Sequence, residues 1–147
     1  MTGYLLDTSV LSLLTPGRPD LTAELAAWIA LRNTELNISV VTVAEIEQGI
    51  AKLRRLGGTR PPDLLDAWLG GILEFYAERV LPIDTAVAVM AGTIADASSA
   101  IGMNPGHADV YIAATAKVHG LRLLTRNLKH FAPLEIDAID PLVTLPD

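Results

Sequence analysis

The sequence predicts one domain, residues 1–147, with a three-layer α/β/α architecture around a central parallel sheet of four or five strands. Short apolar runs alternate with helical patterns along the chain, which is typical of parallel strands joined by right-handed helical crossovers. Such a sheet is covered by helices on both faces. The length suits a single hydrophobic core, and no repeat, linker or low-complexity segment divides the chain.

The first half of the chain is predicted to contain two strands and four helices. Apolar residues three and four positions apart mark the helices, and proline or glycine marks their ends. In chain order the elements are a strand at 4–6, a brief helix ended by Thr15-Pro16-Gly17, a helix opening at Pro19-Asp20, a strand at 37–41, a helix from Thr42 to the stop at Gly57-Gly58, and a helix opening at Pro61-Pro62-Asp63.

The second half is predicted to add two or three strands and two helices. Proline within the third strand indicates an edge position, because proline has no backbone N–H to donate to a neighbouring strand. The elements are a strand at 80–83, an alanine-rich helix capped by Asp84 and running to about Gly102, a helix from about 107 to 119 closed by Gly120, a strand at 121–125, and a short fifth strand around Val143.

Composition excludes several classes of protein. No apolar run approaches the roughly 18 residues that span a bilayer, so we expect no membrane association. The absence of cysteine excludes disulfides, cysteine-ligated zinc and thiol catalysis. The opening Met1-Thr2-Gly3-Tyr4 has no basic stretch ahead of an apolar one, so we expect no signal peptide and a cytoplasmic location.

Charge is unevenly distributed along the chain. The net charge of −6 argues against a protein that coats nucleic acid non-specifically. Nevertheless, four of the eleven basic residues fall between positions 52 and 60: Lys52, Arg54, Arg55 and Arg60. A solvated helix face is the favoured interpretation of this cluster, and a phosphate-contacting patch is the alternative. The excess of acid suggests carboxylates that share a cation.

Several polar side chains are predicted to lie at the carboxyl edge of the sheet, where open α/β folds bind their ligands. They are Asp7 after the first strand, Glu45 in the first turn of the next helix, Asp84 after the third strand, Asp109 in the first turn of the helix before the fourth strand, and Asn127 after the fourth strand. Each acid also has a structural explanation, as an N-cap for Asp7, a capping box from Thr42 to Glu45, and a helix-dipole partner for Asp109.

Electrostatic repulsion limits what a cluster of these acids does. Two carboxylates about 4 Å apart repel by about 4 kcal/mol at an effective dielectric of about 20. Three such pairs are comparable with the whole stability of a small domain, about 5–15 kcal/mol. Either one acid holds a proton or a cation lies between them. An all-oxygen donor set favours Mg²⁺ or Mn²⁺, and such an ion suits phosphoryl chemistry.

Four segments resemble the motifs of the PIN-domain family, in the order and spacing of that family. They are residues 5–10 (LLDTSV), 39–49 (SVVTVAEIEQG), 108–116 (ADVYIAATA) and 124–131 (LTRNLKHF), and the segment 81–84 (LPID) fits as well. One such motif is weak evidence, whereas four in order across the chain are strong. Within the family, the nearest resemblance is to toxins of the VapC and FitB types.

The resemblance implies a metal-dependent endoribonuclease that acts as the toxin of a toxin–antitoxin pair. It implies that Asp7, Glu45 and Asp109 bind Mg²⁺ or Mn²⁺ and that Asn127 occupies the fourth catalytic position, where many members carry Asp. It also implies an RNA substrate, a small cognate antitoxin and a homodimer. Thr8 and Thr125 are candidates to assist through their hydroxyls.

Other polar and aromatic residues are set aside from the site. Asp84 is interpreted as an N-cap on a strand away from the centre, and Glu47 as a solvated residue, since it points about 200° away from Glu45 on a helix. The three histidines show no ligand spacing. Trp28 and Trp68 are interpreted as core or interface residues. The helix that carries Trp68, Leu69, Ile72, Leu73, Phe75 and Tyr76 is apolar over more than one face, which indicates an interface.

Two other classes of function compete. A Mg²⁺-dependent aspartate-nucleophile phosphatase also has an Asp after its first strand, but it usually carries a second acid two positions later, where this chain has Ser9. A non-enzymatic phospho-accepting receiver domain has adjacent acids after the first strand and an Asp after the third. Of those features, only Asp84 is present.

Overall fold

The computed structural model describes residues 3–147 and contains the predicted parallel sheet. The sheet has five strands in the order β3-β2-β1-β4-β5, and all four neighbouring pairs are parallel. The strands are β1 (Tyr4–Leu6), β2 (Leu36–Ser39), β3 (Val80–Leu81), β4 (Arg122–Leu124) and β5 (Ala138–Ile139). Met1 and Thr2, on which the signal-peptide expectation partly rests, lie outside the described residues.

Helices connect the strands and cover both faces of the sheet. They are α1 (Thr8–Leu11), α2 (Ala23–Leu31), α3 (Val40–Leu56), α4 (Pro62–Tyr76), α5 (Thr85–Ala100), α6 (His107–His119) and α7 (Leu128–Phe131). None of the helices in residues 3–147 is long and apolar enough to cross a membrane. The predicted three-layer α/β/α fold is confirmed.

Alternate residues of the strands supply the two halves of the core. Leu5 and Leu123 point to one face and pack in a cluster with α5 and α6. Leu6 and Leu124 point to the other face and pack with α1, α2 and β2. All four leucines are fully buried, as the two-residue period of a strand requires when helices cover both faces. This double burial fixes the register of β1 against β4.

The boundary between β2 and α3 differs from the prediction. Val40 and Val41 were assigned to the strand because β-branched residues favour strands. Instead α3 begins at Val40, since the Ser39 hydroxyl accepts a hydrogen bond from the Val41 N–H at 3.0 Å and caps the helix. The predicted helix start at Thr42 and its capping box with Glu45 are therefore wrong. Glu45 lies in the second turn of α3.

Two other boundaries also moved. Helix α2 begins at Ala23 rather than at Pro19-Asp20, because Thr22 caps it by accepting from the Leu25 N–H at 3.2 Å. The fifth strand lies at 138–139, not around Val143, which is largely exposed after a turn. The N–H groups of Leu123 and Thr125 donate to the carbonyls of Asp137 and Ile139, which is the pairing that places β5.

Other predicted features are confirmed. Strand β3 is at an edge, two places from β1, although it ends at Leu81, so that Pro82 follows the strand instead of lying within it. The Asp84 carboxylate caps α5 by accepting from the Val87 N–H at 2.9 Å. Gly57 and Gly120 end α3 and α6 with φ of 78° and 63°, values that glycine adopts without strain. These caps determine where the chain turns back toward the sheet.

A buried tryptophan attaches the C-terminal tail to the domain. The Trp28 Nε1–H on α2 donates to the Pro146 carbonyl at 3.0 Å across 118 positions of sequence, and the Trp28 ring packs edge-on against Tyr4 with centroids 5.0 Å apart. Trp28 is buried, as the sequence predicted, while Trp68 is half-buried. Leu142 and Leu145 of the tail also pack against the core cluster that contains Trp28.

We expect Trp28→Phe to lower the free energy of unfolding by about 1–3 kcal/mol, because the Pro146 carbonyl remains buried without its donor. Chemical denaturation monitored by far-UV circular dichroism measures the change. Trp68→Phe is the matched control, since it makes the same replacement of an indole by a phenyl ring at a half-buried site. A cost for Trp28→Phe no larger than that of the control would contradict this assignment.

Candidate active site

Asp7 is a buried carboxylate at the carboxyl end of the central strand. Its side chain is 4% exposed, and Oδ2 accepts hydrogen bonds from Ser9 Oγ and Thr125 Oγ1, each at 2.7 Å. Asp7 occupies the N-cap position of α1, yet its side chain makes no capping bond to that helix. The interpretation of this carboxylate as an N-cap is therefore wrong, and its charge is instead stabilised by two hydroxyl donors.

The two hydroxyls are themselves held by backbone donors. Ser9 Oγ accepts from the Arg126 N–H and Thr125 Oγ1 accepts from the Asn127 N–H, both at 3.0 Å. Because each oxygen already accepts from a backbone amide, its own proton is directed to the Asp7 carboxylate. The loop after β4 and the β1–α1 junction thus form one hydrogen-bonded unit around Asp7.

Asp109 shares this region electrostatically with Asp7. It lies in the first turn of α6, with its side chain 28% exposed. Burial raises the pKa of the Asp109 carboxyl, and the nearby negative charge of Asp7 raises it further. His130 Nδ1 on α7 lies 3.6 Å from Asp109 Oδ2 and acts in the opposite direction, lowering that pKa. Two acids of the predicted set are therefore close enough to repel each other.

Glu45 lies next to these acids through Thr8. Its Oε1 accepts a hydrogen bond from Thr8 Oγ1, and Thr8 directly follows Asp7 in the chain. The Thr8 hydroxyl also lies 3.0 Å from the hydroxyl of Thr42, which is three residues before Glu45 on α3. Within residues 3–147, no three histidine, aspartate or glutamate side chains come together closely enough to hold a metal ion. The three acids therefore do not form a closed coordination set.

Asn127 lies on the same loop as Thr125, and its side chain is exposed. It occupies the N-cap position of the short helix α7 without a side-chain capping bond. Its backbone N–H, rather than its amide, supports the Asp7 carboxylate through Thr125. The assignment of Asn127 as the fourth catalytic position stays a prediction.

The residues present suit a hard divalent cation in their chemistry. All candidate ligands are carboxylate oxygens, the donors that Mg²⁺ and Mn²⁺ prefer. The Ser9 and Thr125 hydroxyls both engage Oδ2 of Asp7, so neither bond occupies Oδ1. The repulsion between Asp7 and Asp109 is what a bound cation would neutralise. Thr8 engages only Oε1 of Glu45, so Oε2 is not occupied by that bond.

Sequence reasoning missed two contacts of this site. Ser9 was considered only as the position where a phosphatase carries a second acid, although a hydroxyl two residues after an acid at a helix start is a detectable signal. His130 was dismissed for lack of ligand spacing, yet the turn of α7 brings it to Asp109. The other exclusions agree with the structure, since Asp84 caps α5 and Glu47 is exposed.

The chain is similar in sequence to known toxins along nearly all of its length. It is 36% identical to the toxin FitB of Neisseria gonorrhoeae over 138 residues, which are 93% of this chain and 96% of that protein. It is 35% identical to the VapC ribonuclease Y4jK of Sinorhizobium fredii over 137 residues, 92% of this chain and 95% of that protein.

Solved structures show the same similarity to FitB and VapC proteins. The crystal structure of FitAcB from Neisseria gonorrhoeae superposes with a TM-score of 0.79 at 34% identity, covering 94% of this chain and 97% of that one. DNA-bound VapBC from Salmonella typhimurium also gives 0.79, at 26% identity, covering 95% and 98%. The sequence profile of the PIN domain matches residues 4–133. The chain therefore belongs to the PIN-domain family.

Proposed function

We propose that this protein is a metal-dependent endoribonuclease and the toxin of a toxin–antitoxin pair. The observation that carries the proposal is the buried Asp7 carboxylate, held by two hydroxyls at the carboxyl edge of the sheet and repelling Asp109. A buried carboxylate beside a second, partly buried one is costly unless a cation or proton compensates the repulsion. The names of the relatives, toxin FitB and VapC ribonuclease Y4jK, support the same activity.

In this proposal Asp7, Asp109 and Glu45 hold Mg²⁺ or Mn²⁺, which supplies Lewis-acid stabilisation of the attacked phosphate and a more acidic water. The protein's own groups prepare the site. Ser9 and Thr125 fix the orientation of the Asp7 carboxylate, and Thr8 holds Glu45 ready beside it. Asn127 adds an amide dipole at the rim without adding a further negative charge.

The phosphatase and receiver alternatives have less support. The position at which the phosphatase carries a second acid is Ser9, whose hydroxyl donates to Asp7. Asp84, on which the receiver alternative depends, is engaged as the cap of α5 at the edge of the sheet. Neither residue is available for the role that its alternative requires.

An antitoxin and a second copy of the chain are the expected partners. Among related solved structures, one is described as a toxin–antitoxin complex and another as a member of the VapBC family of toxin–antitoxin systems. Others are FitAB and VapBC bound to DNA. On this chain, Leu64, Leu73 and Phe75 of α4 are 48%, 38% and 55% exposed. Of the six apolar residues that the sequence assigned to an interface, Leu73 and Phe75 are exposed, whereas Leu69 and Tyr76 are buried in the core. Exposed apolar residues on one helix favour a protein interface.

We expect Asp7→Asn and Asp109→Asn to reduce RNA cleavage at least about a hundredfold, because each removes a charge that the cation requires. Glu45→Gln should also be strongly impaired if Glu45 is the third ligand. Cleavage of labelled RNA with Mg²⁺, Mn²⁺ or chelator measures this. Glu47→Gln, on the exposed side of the same helix, is the control. Full activity in chelator, or equal losses for Glu45→Gln and Glu47→Gln, would contradict the proposed ligand set.

The raised pKa of Asp109 gives a second prediction, on stability. A carboxyl whose pKa is raised by folding contributes stability that is fully present below its ordinary pKa of about 3.9 and is lost as pH rises through the folded pKa. At pH 7 in chelator, Asp109→Asn should therefore melt at a higher temperature than the natural protein. Mn²⁺ should raise the melting temperature of the natural protein more than that of the variant. Equal Mn²⁺ shifts would place Asp109 outside the metal site.

The toxin role predicts that expression of the chain alone stops bacterial growth by cleaving RNA. Co-expression of the small reading frame beside its gene should restore growth, and the two proteins should purify together. Asp7→Asn should be harmless at the same expression level while still binding the partner, since its fold and α4 are unchanged. Arrest by Asp7→Asn equal to that by the natural protein would mean that toxicity does not arise from this site.

A further inference from the structure

A cavity of about 210 Å³ lies beside the candidate active site, between α1, α3 and α4. Thr8 and Glu45 form the wall that it shares with the site. The rest of the lining is partly basic, with Arg18 and Arg60, and partly apolar, with Ile50 and Trp68. It is smaller than the roughly 300–1,000 Å³ of pockets that enclose whole ligands, so it suits one part of a larger substrate.

Arg60 is held in this lining by neutral acceptors. Its Nη2 donates to Thr15 Oγ1 at 2.8 Å and to the Pro16 carbonyl at 3.2 Å. These bonds fix the guanidinium without cancelling its charge. Arg18 differs, because Asp20 pairs with it at 3.2 Å. Arg60 therefore presents an oriented positive charge to a cavity that continues into a nuclease site.

The structure divides the basic cluster at 52–60 that the sequence left open. Arg54 pairs with Asp63 at 2.7 Å and with Asp66 at 3.8 Å, on the surface between α3 and α4. Arg55 is exposed on α3 and is not part of the cavity wall. Most of the cluster is the solvated helix face that was favoured, whereas Arg60 fits the phosphate-contacting alternative.

The apolar part of the lining has the chemistry that a nucleobase requires. Trp68 is half-buried, with part of its indole packed against Ile50 and Leu65 of the α3–α4 cluster. An indole surface offers stacking area to any base, and a fixed guanidinium offers charge-assisted hydrogen bonds to phosphate. A ribonucleotide carries both groups, an anionic phosphate and a flat apolar base.

We propose that this cavity binds one nucleotide of the RNA substrate next to the phosphodiester that is cleaved, with Arg60 on its phosphate and Trp68 beside its base. The inference rests on the proposed ribonuclease function and adds a binding subsite to it. Its location follows from Thr8 and Glu45, which line the cavity and also belong to the candidate active site. Occupancy of the cavity then fixes the register of the RNA relative to the acids.

The test measures RNA affinity in proteins that carry Asp7→Asn, so that the RNA stays intact. Fluorescence anisotropy of a labelled single-stranded RNA of mixed sequence gives the dissociation constant over a series of salt concentrations. Arg60→Gln keeps side-chain donors for Thr15 and Pro16 but removes the charge. We expect affinity to fall about tenfold or more, and the slope of log affinity against log salt to decrease in magnitude by about 0.7. Arg55→Gln is the matched control and should change both values less.

The substitution Trp68→Leu tests the apolar part of the cavity lining. It should weaken RNA binding about 5- to 150-fold and leave the salt slope unchanged, because a stacked base carries no charge. Thermal unfolding of each variant establishes that it is folded. If Trp68→Leu does not fold, the Arg60 and Arg55 comparison alone decides.

The outcomes separate the subsite from the function. If the natural protein cleaves RNA but Arg60→Gln and Arg55→Gln bind it alike, the subsite is wrong and the ribonuclease function stands. If Arg60→Gln leaves RNA affinity unchanged but loses the co-purified antitoxin, the cavity binds protein and the proposal is overturned. If the natural protein neither binds nor cleaves RNA, both proposals fail together.

Discussion

The buried charge of Asp7 is the constraint on which the rest of the site depends. A carboxylate that is 4% exposed is tolerated only with good hydrogen-bond donors, and Ser9 and Thr125 supply two at 2.7 Å. Those donors are in turn positioned by backbone amides of the loop after β4. Because β1 and β4 are adjacent parallel strands, both ends of this network arrive at the same edge of the sheet. The topology therefore brings the residues of the site to one edge of the sheet, and the two hydroxyls stabilise the buried charge of Asp7 there.

The same constraint explains the state of the neighbouring acids. Burial raises the pKa of Asp109 and the Asp7 charge raises it further, while His130 on α7 lowers it. Glu45 accepts a hydrogen bond from Thr8, the residue that follows Asp7. Each of the three carboxylates thus has its own local partner, two hydroxyls for Asp7, His130 for Asp109 and Thr8 for Glu45. A divalent ion would give the three acids one shared partner.

Sequence alone predicted the features that depend on local pattern. The rule that parallel strands end at one edge of the sheet predicted that Asp7, Asp109 and Asn127 lie there. Asp84 was recognised as a cap because the sequence pattern that starts α5 is local. Errors arose where two local preferences competed. Val40 and Val41 favour a strand, but the Ser39 cap decides in favour of the helix and moves Glu45 into the second turn. His130 was missed because its approach to Asp109 depends on how α7 packs, which no spacing along the chain encodes.

The distribution of charge reconciles an acidic protein with a polyanionic substrate. The net charge of −6 repels RNA at long range, but salt screens such repulsion beyond about 8 Å at physiological ionic strength. At contact distance the relevant charges are local, and basic residue types line the cavities beside two of the acids. Arg60 lines the cavity next to Glu45, while Lys129 and His130 line another cavity next to Asp109. These local groups offset the net acidity of the chain where RNA would approach the acids, and the proposed cation would offset the carboxylates themselves.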